Sequence, residues 1–263
     1  MVTRSAAWSL LAAAALTLAA CTATSSGSTE RPAEASPAPG SEPPAEADEG
    51  TVATAAGRSD QTFRIVTLGD SYTFGTGTDA PMRDSWPAQL RAAMIQRGGL
   101  RIWLNNLAQE SSPSEKVLEE QVIEVAGHQP DVVTLQVGVN DIVGDETDWY
   151  SGNIGAIFDE LLLILPPERI FAITTPDHKL TEWGQAYGSP DAVAALNSML
   201  KEEAAARSIE VIDIGPVNER VALDDTLLVQ SDPPTPYPTA KQYAGWAEAI
   251  GPYVYDALTT GQP

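Results

Sequence analysis

Five short runs rich in β-branched and other apolar residues alternate along the chain with amphipathic segments, and this alternation restricts the fold more than any other feature. Strands that alternate with helices form parallel sheets, because each connection has to cross back over a sheet face. The β-rich runs are Phe63–Gly69, Leu100–Asn106, Asp131–Gly138, Arg169–Thr174 and Glu210–Ile214. We therefore predict one α/β domain over residues 62–260 with a parallel, roughly five-stranded sheet.

The segments between these runs open on residues that cap helices or favour the first helical turn. They begin near Ser85, Ser114, Ser151, Pro190 and Thr239. Right-handed crossovers distribute such helices over both faces of a sheet. The predicted architecture is a three-layer α/β/α sandwich with a flavodoxin-like sheet.

A serine follows the first predicted strand in a tight turn, Gly69-Asp70-Ser71. The carboxyl end of a parallel strand is where α/β folds bind their ligands, and a helix that begins there points its positive end at the same place. The Ser71 hydroxyl is predicted to be a nucleophile, although serine is also a common helix cap. Asp70 is expected to orient the turn.

A second polar group follows the third predicted strand, in Val137-Gly138-Val139-Asn140-Asp141. The side-chain amide of Asn140 can donate hydrogen bonds to an oxyanion, and Gly138 lets the chain pass close by. An asparagine at a strand end also serves in Asx turns. Asp141 is expected to cap or brace this segment.

These two blocks together resemble the SGNH/GDSL hydrolase family, and the resemblance extends over essentially the whole predicted domain. The resemblance implies an α/β/α ester hydrolase. It also implies that Ser71 is the nucleophile and that Asn140 contributes its side-chain amide to the oxyanion hole.

The family's further oxyanion donor is the backbone of a glycine that follows an asparagine. In this chain Asn106 stands at the asparagine and Ser111 at the glycine. A backbone N–H is retained at Ser111, but a serine lacks the conformational freedom of glycine. The neighbouring Glu110 would bring negative charge towards the oxyanion, which disfavours catalysis.

The family's catalytic histidine is absent from its usual place. SGNH enzymes carry an Asp-x-x-His-Pro block before the last helix, and the corresponding residues here are Ser231–Tyr243. Aligned on Pro238, Tyr237 occupies the histidine position and Pro234 the aspartate position. A phenol with an unperturbed pKa of about 10 accepts a proton poorly at pH 7, so we expect hydrolysis to be weak or lost. Asp232 is close in sequence, but the stiff proline-rich loop is expected to move it from the family position.

The chain has two histidines. His128 precedes the third predicted strand, so we expect it at the amino end of the sheet in a structural role. His178 follows the fourth strand, which predicts a place on the same edge as Ser71 and Asn140. It is either a recruited base or an exposed loop residue, because a base has to come within hydrogen-bond reach of the serine.

The N-terminus resembles a bacterial lipoprotein signal. Arg4 precedes an apolar stretch that is too short to span a bilayer, and Leu18-Ala19-Ala20-Cys21 resembles a lipobox. We predict a signal peptide over residues 1–20, lipidation of Cys21 and a disordered Pro/Ala/Ser/Glu linker over residues 21–61. Such a protein is exported and held by its lipid on the outside of the cytoplasmic membrane.

The chain is strongly acidic, with 36 acidic and 15 basic side chains and a net charge of −21. Residues 1–61 hold seven acidic and three basic side chains, which leaves −17 on the domain. This charge argues against a nucleic-acid partner and leaves the lipid as the membrane contact. The sequence has no His/Cys cluster at metal-ligand spacing and no phosphate-binding loop, so no metal or cofactor is predicted.

The function predicted from these features is serine-dependent hydrolysis of a small-molecule, lipid or glycan ester by a monomer of the cell envelope. The alternative is a non-catalytic pseudoenzyme that binds an acylated or glycan ligand through the same pocket.

Overall fold

The β-rich runs form one parallel sheet with the strand order β2-β1-β3-β4-β5. A computed structural model describes residues 61–189, 191–233 and 235–260 of the chain. The strands are β1 (Thr62–Gly69), β2 (Arg101–Asn106), β3 (Val132–Gln136), β4 (Ile170–Ile173) and β5 (Glu210–Ile212). The predicted flavodoxin-like sheet is therefore confirmed. Strands β2 to β5 are one to three residues shorter than their predicted runs, and β1 is one residue longer at its start.

Successive side chains along the strands enter two different cores, because neighbouring residues of a strand point to opposite faces. In β1, Ile65 belongs to one core and Val66 to the other. In β3, Val132 and Val133 divide in the same way. All four side chains are fully buried, which shows that both faces of the sheet are covered.

The helices form the two outer layers. They are α1 (Ser71–Phe74), α2 (Pro81–Asp84), α3 (Trp86–Gln96), α4 (Ser114–Lys116), α5 (Val122–His128), α6 (Val139–Val143), α7 (Thr147–Leu162), α8 (Ala192–Ala206), α9 (Gly215–Asn218) and α10 (Ala240–Thr259). Helices α3 and α10 supply apolar side chains to one core, and α5, α7 and α8 supply them to the other. The three-layer α/β/α sandwich is the predicted one.

Most helix starts agree with the sequence patterns. Ser85 and Thr239 precede α3 and α10 as their cap residues, and α4 begins at Ser114. The prediction near Ser151 is one turn late, because α7 begins at Thr147 and its N-cap position holds Glu146, which is not a residue type preferred at helix starts. No helix among the described residues is long and apolar enough to cross a membrane.

Several predictions fall on residues outside the described ranges. They concern the signal peptide over residues 1–20, the lipidation of Cys21, the linker, the helix start at Pro190 and the substitution at Pro234. These remain predictions from the sequence.

Candidate active site

Ser71 is the first residue of α1, directly after the end of β1. The preceding Gly69 has φ +149°, and a Cβ there would lie 2.1 Å from the carbonyl oxygen of Gln136 at the end of β3. A side chain at position 69 would therefore be both strained and in collision, which is why this turn requires glycine. The Ser71 side chain lies at the carboxyl edge of the sheet, but the residue is only 5 % exposed.

Asp70 orients this turn, as predicted, by capping the short helix that follows. Its carboxylate accepts a hydrogen bond from the backbone N–H of Tyr72 at 2.9 Å. Burial raises the pKa of Asp70 from 3.8 to about 7, and the charge of Asp141 adds to the rise. Hydrogen bonds from the backbone N–H groups of Tyr72 and Gly138 oppose it. Asp70 thus joins the β1 turn to the β3 turn.

Asn140 lies in α6, at the edge of the strand that neighbours β1. Gly138 precedes it with φ +147°, and a Cβ there would lie 2.4 Å from Leu196 Cδ2 and 2.6 Å from Thr175 Oγ1. The Nδ2 of Asn140 donates a hydrogen bond to the backbone oxygen of Ser112 at 3.1 Å. A primary amide has two N–H donors, so one remains for a further acceptor.

Asp141 braces this segment from below. The carboxylate accepts hydrogen bonds from the backbone N–H and the hydroxyl of Ser114 at the start of α4. Burial raises the pKa of Asp141 from 3.8 to about 6, which the bonds from Ser114 oppose. The predicted bracing role therefore has a specific partner, the first residue of α4.

Ser111 adopts φ +57°, the left-handed conformation that the expected glycine would take without strain. A non-glycine residue in this region costs about 1–2 kcal/mol. The side chain is exposed, and among the described residues the backbone N–H has no hydrogen-bond acceptor. Glu110 beside it accepts a hydrogen bond from the Thr76 hydroxyl at 2.6 Å.

Tyr237 stands against Ser71, and its ring packs edge-on against Tyr72 with centroids 6.4 Å apart. Burial raises the pKa of the Tyr237 phenol, the charge of Glu110 adds to this rise, and interaction with the Ser71 side chain partly offsets it. The phenol is therefore neutral at pH 7 and a poor proton acceptor. Asp232 is exposed.

His178 lies in the loop after β4, at the predicted edge, but it is buried rather than exposed. Its ring packs edge-on against Trp183 at 6.0 Å, and a Cβ at Gly184 would touch the ring at 2.8 Å. Burial lowers the pKa of His178, and the charged groups acting on it are Asp177 and Lys179. Among the described residues neither ring nitrogen of His178 has a hydrogen-bond partner, so the imidazole is not bonded to Ser71.

His128 ends α5 and lines a groove with Thr62 and Arg64 from the start of β1. This places it at the amino end of the sheet, as predicted, and away from Ser71. Because the chain's other histidine is His178, no histidine lies at the position before the last helix where the family carries its base.

Two buried glutamines that no sequence motif marks hold the serine turn. Gln121 brackets Gly69: its Oε1 accepts from the Gly69 N–H and its Nε2 donates to the Gly69 oxygen, both at 2.9 Å. Gln121 closes a π-helical turn, Val117–Gln121, between α4 and α5. A π turn is rare and often lies at a functional site, but no residue pattern predicts it.

Gln136 is the second of these residues. Its Oε1 accepts hydrogen bonds from the Thr73 hydroxyl at 3.2 Å and from the Trp86 indole at 3.0 Å. Strand β3 therefore holds α1 and the start of α3 through one side chain. Asn106 completes the support, because its Nδ2 donates to the backbone oxygen of Thr73 at 2.8 Å.

Comparison with known proteins identifies the fold. The model of the GDSL-like lipase/acylhydrolase family matches residues 67–244. The sequence matches no curated protein at a significant level. Three similar solved structures illustrate the likeness, and identities this low establish the shared fold alone.

The first is a lipase/acylhydrolase from Enterococcus faecalis, with a TM-score of 0.62, 21 % identity, and coverage of 76 % of this chain and 100 % of that chain. The second is a putative lipolytic protein of the G-D-S-L family from Desulfitobacterium hafniense, with a TM-score of 0.55, 18 % identity, and coverage of 74 % and 98 %. The third is a catalytic mutant, histidine to alanine, of an acetylxylan esterase from Geobacillus stearothermophilus, with a TM-score of 0.60, 13 % identity, and coverage of 73 % and 94 %. With the family model matching more than half of its length, the chain belongs to the GDSL-like lipase/acylhydrolase family.

Proposed function

We propose that the chain is a serine ester hydrolase of low activity, with Ser71 as nucleophile and an oxyanion hole made by Asn140 and the Ser111 backbone. The observation that carries this proposal is the position of the Asn140 amide. It is fixed by the Ser112 oxygen at 3.1 Å and, among the described residues, keeps its second N–H free at the edge of the sheet where Ser71 begins α1. A prepositioned donor of this kind contributes about 2.7–4 kcal/mol to acyl-transfer transition states.

In the proposed reaction Ser71 Oγ attacks the ester carbonyl carbon and passes its proton to solvent water, from which the leaving alkoxide later takes a proton. The carbonyl oxygen becomes an oxyanion that accepts from Asn140 Nδ2 and the Ser111 N–H. The ester C–O bond breaks, the alcohol leaves with a proton, and water then releases the acyl group from Ser71.

The slow step follows from the missing base. A positioned general base contributes about 10²–10⁴-fold, and the group against Ser71 is the neutral phenol of Tyr237. His178, the other candidate base, is packed against Trp183 and has its pKa lowered by burial. The proposed activity is therefore weak, with His178 outside the reaction.

The substrate we propose is a small-molecule, lipid or glycan ester in the cell envelope. Family membership supports ester hydrolysis, and an acetylxylan esterase is among the structures with this fold. The proposed location is supported by the lipobox-like sequence ending at Cys21, from which we expect a lipid and a linker to hold the domain on the outside of the membrane. We propose that the domain acts there as a monomer.

The test is p-nitrophenyl acetate hydrolysis by the full chain, its Ser71→Ala variant and, as a matched control, Ser198→Ala on the exposed face of α8. We expect slow hydrolysis by the wild type and by Ser198→Ala, and a lower rate for Ser71→Ala. If all three proteins hydrolyse the ester no faster than buffer alone, Ser71 does not catalyse this reaction.

A second candidate function is binding without catalysis of an acylated or glycan ligand at the same site. It is favoured by the cover over the serine, which is 5 % exposed beneath Tyr237. The two candidates differ in one outcome. If the protein only binds its ligand, Ser71→Ala has the same hydrolysis rate as the wild type. If it is a hydrolase, Ser71→Ala hydrolyses the ester more slowly than the wild type.

A further inference from the structure

An open groove of about 360 Å³ lies at the amino edge of the sheet, opposite the edge that carries Ser71. Strands β1 and β2 form its floor and the end of α5 forms one wall. The lining residues are Thr62, Arg64, Trp103, Asn105, Gly127, His128 and Gln129. Small-ligand sites typically occupy about 300–1,000 Å³, so the groove has the size of a binding site.

Trp103 supplies the one large apolar surface in this groove. It lies on β2, an edge strand of the sheet, and is 63 % exposed. Its indole N–H donates to the Asn105 side-chain oxygen at 3.3 Å, two residues further along the same face. The indole is therefore held along the strand, with one edge already hydrogen-bonded.

The other lining side chains are polar and planar. Arg64 lies beside Trp103 in the sheet register, and its Nη1 donates to the Gln129 side-chain oxygen at 3.0 Å. Gln129 follows α5 as its C-cap residue with φ +50°, and His128 is the last residue of the helix. The guanidinium, the amides and the imidazole offer both donors and acceptors around the indole.

The side chains that line the groove are neutral or basic, whereas the chain as a whole is acidic. None of its described lining residues is acidic, although the whole chain has a net charge of −21. The nearby Asp131 carboxylate is occupied by the backbone N–H of Arg64 at 2.7 Å. An acidic polymer would be repelled by the field of the whole molecule, whereas a neutral ligand would meet no carboxylate in the groove.

We propose that this groove binds a neutral oligosaccharide, with one sugar ring stacked on Trp103. A pyranose presents C–H groups on its faces and hydroxyls around its rim. The faces match an exposed indole, and the rim matches the amide and guanidinium groups of Asn105, Gln129 and Arg64. Because the groove and Ser71 lie at opposite ends of the same sheet, the site would hold a polysaccharide while leaving the ester site open. This proposal is independent of the activity at Ser71.

The test is isothermal titration calorimetry of the full chain with three neutral probes: xylohexaose, cellohexaose and the hexamer of N-acetylglucosamine. The variant is Trp103→Ala, and the matched control is Trp149→Ala, which removes a tryptophan that is 73 % exposed on α7. We expect saturable binding of at least one probe. Loss of Trp103 should weaken it by about tenfold or more, since aromatic anchors carry much of a binding free energy.

A second variant, Asn105→Ala, should lower the affinity for the same probe by a smaller factor, because it removes the acceptor that orients the Trp103 indole. Thermal unfolding of each variant checks that the fold is retained, since all three side chains lie at the surface. The proposal is overturned if none of the probes binds, or if Trp103→Ala binds as tightly as the wild type and Trp149→Ala.

Discussion

Replacing the buried Asp70 by asparagine should change how the stability of the protein depends on pH. Asparagine has the shape of a protonated aspartate and caps helices equally well, so the hydrogen bond from the Tyr72 N–H is retained. What the change removes is the ionisation of a carboxyl whose pKa burial raises from 3.8 to about 7. In the wild type this group stabilises the fold fully below the unfolded pKa, and the contribution is lost as pH rises through about 7.

The size of the effect follows from that displacement. A folded pKa of about 7 against 3.8 unfolded corresponds to a total of about 4 kcal/mol, of which about 2.5 kcal/mol falls between pH 5 and pH 8. Two neighbouring effects act in the same window. The raised pKa of Asp141 adds to the loss of folding stability as pH rises, and the lowered pKa of His178 opposes that loss. Both persist in the variant, so the difference between variant and wild type isolates Asp70 to first order.

The measurement is urea denaturation of the full chain at pH 5 and pH 8, followed by tryptophan fluorescence. Relative to the wild type, Asp70→Asn should gain about 2.5 kcal/mol more at pH 8 than at pH 5. The exposed Asp232→Asn serves as the control for removing a carboxylate at the surface. A stability difference for Asp70→Asn that does not vary with pH would refute the reasoning.

Two further predictions concern position 237, where the family carries its histidine, and two glycines, Gly138 and Gly127. Tyr237→His is expected to raise Ser71-dependent esterase activity by less than about 10²-fold, because Pro234 cannot orient an imidazole, and adding Pro234→Asp should raise it further since a triad acts as a unit. Equal p-nitrophenyl acetate rates for the single and double variants would contradict this. Gly138→Ala should lower the free energy of unfolding by at least about 2 kcal/mol, from its φ of +147° and a Cβ 2.4 Å from Leu196. Gly127→Ala, with nothing within 4 Å, should raise it by about 0.5–1 kcal/mol in the same urea titration, and a reversed order would be inconsistent with the packing.

Part of the site follows from local sequence and one topological rule. Ser71 and Asn140 each follow an apolar run, and the carboxyl ends of parallel strands share one edge of the sheet. The position of His128 at the opposite edge follows in the same way. These inferences succeed because strand direction is the same throughout a parallel sheet, so chain order alone decides which residues share an edge.

Side-chain environment does not follow from chain order. His178 lies on the predicted edge, yet whether it is exposed or buried depends on Trp183 and Gly184, which fold over it from the next turn. Trp103 belongs to a β-rich run like other core residues, but its face of the edge strand is left open where α5 ends. The hydrophobic pattern predicts neither the burial of His178 nor the exposure of Trp103, because both depend on whether residues distant in sequence pack against these side chains.

The sequence by itself determined the α/β alternation, the order of the strands' polar ends and the absence of a histidine from the usual position before the last helix. Only the tertiary structure decided how the serine turn is held, because Gln121 and Gln136 reach it from 52 and 63 residues away in sequence. It also decided the pKa of Asp70, since desolvation depends on burial by residues from several elements. Local pattern determines elements, whereas long-range contacts determine the chemistry of the groups that those elements bring together.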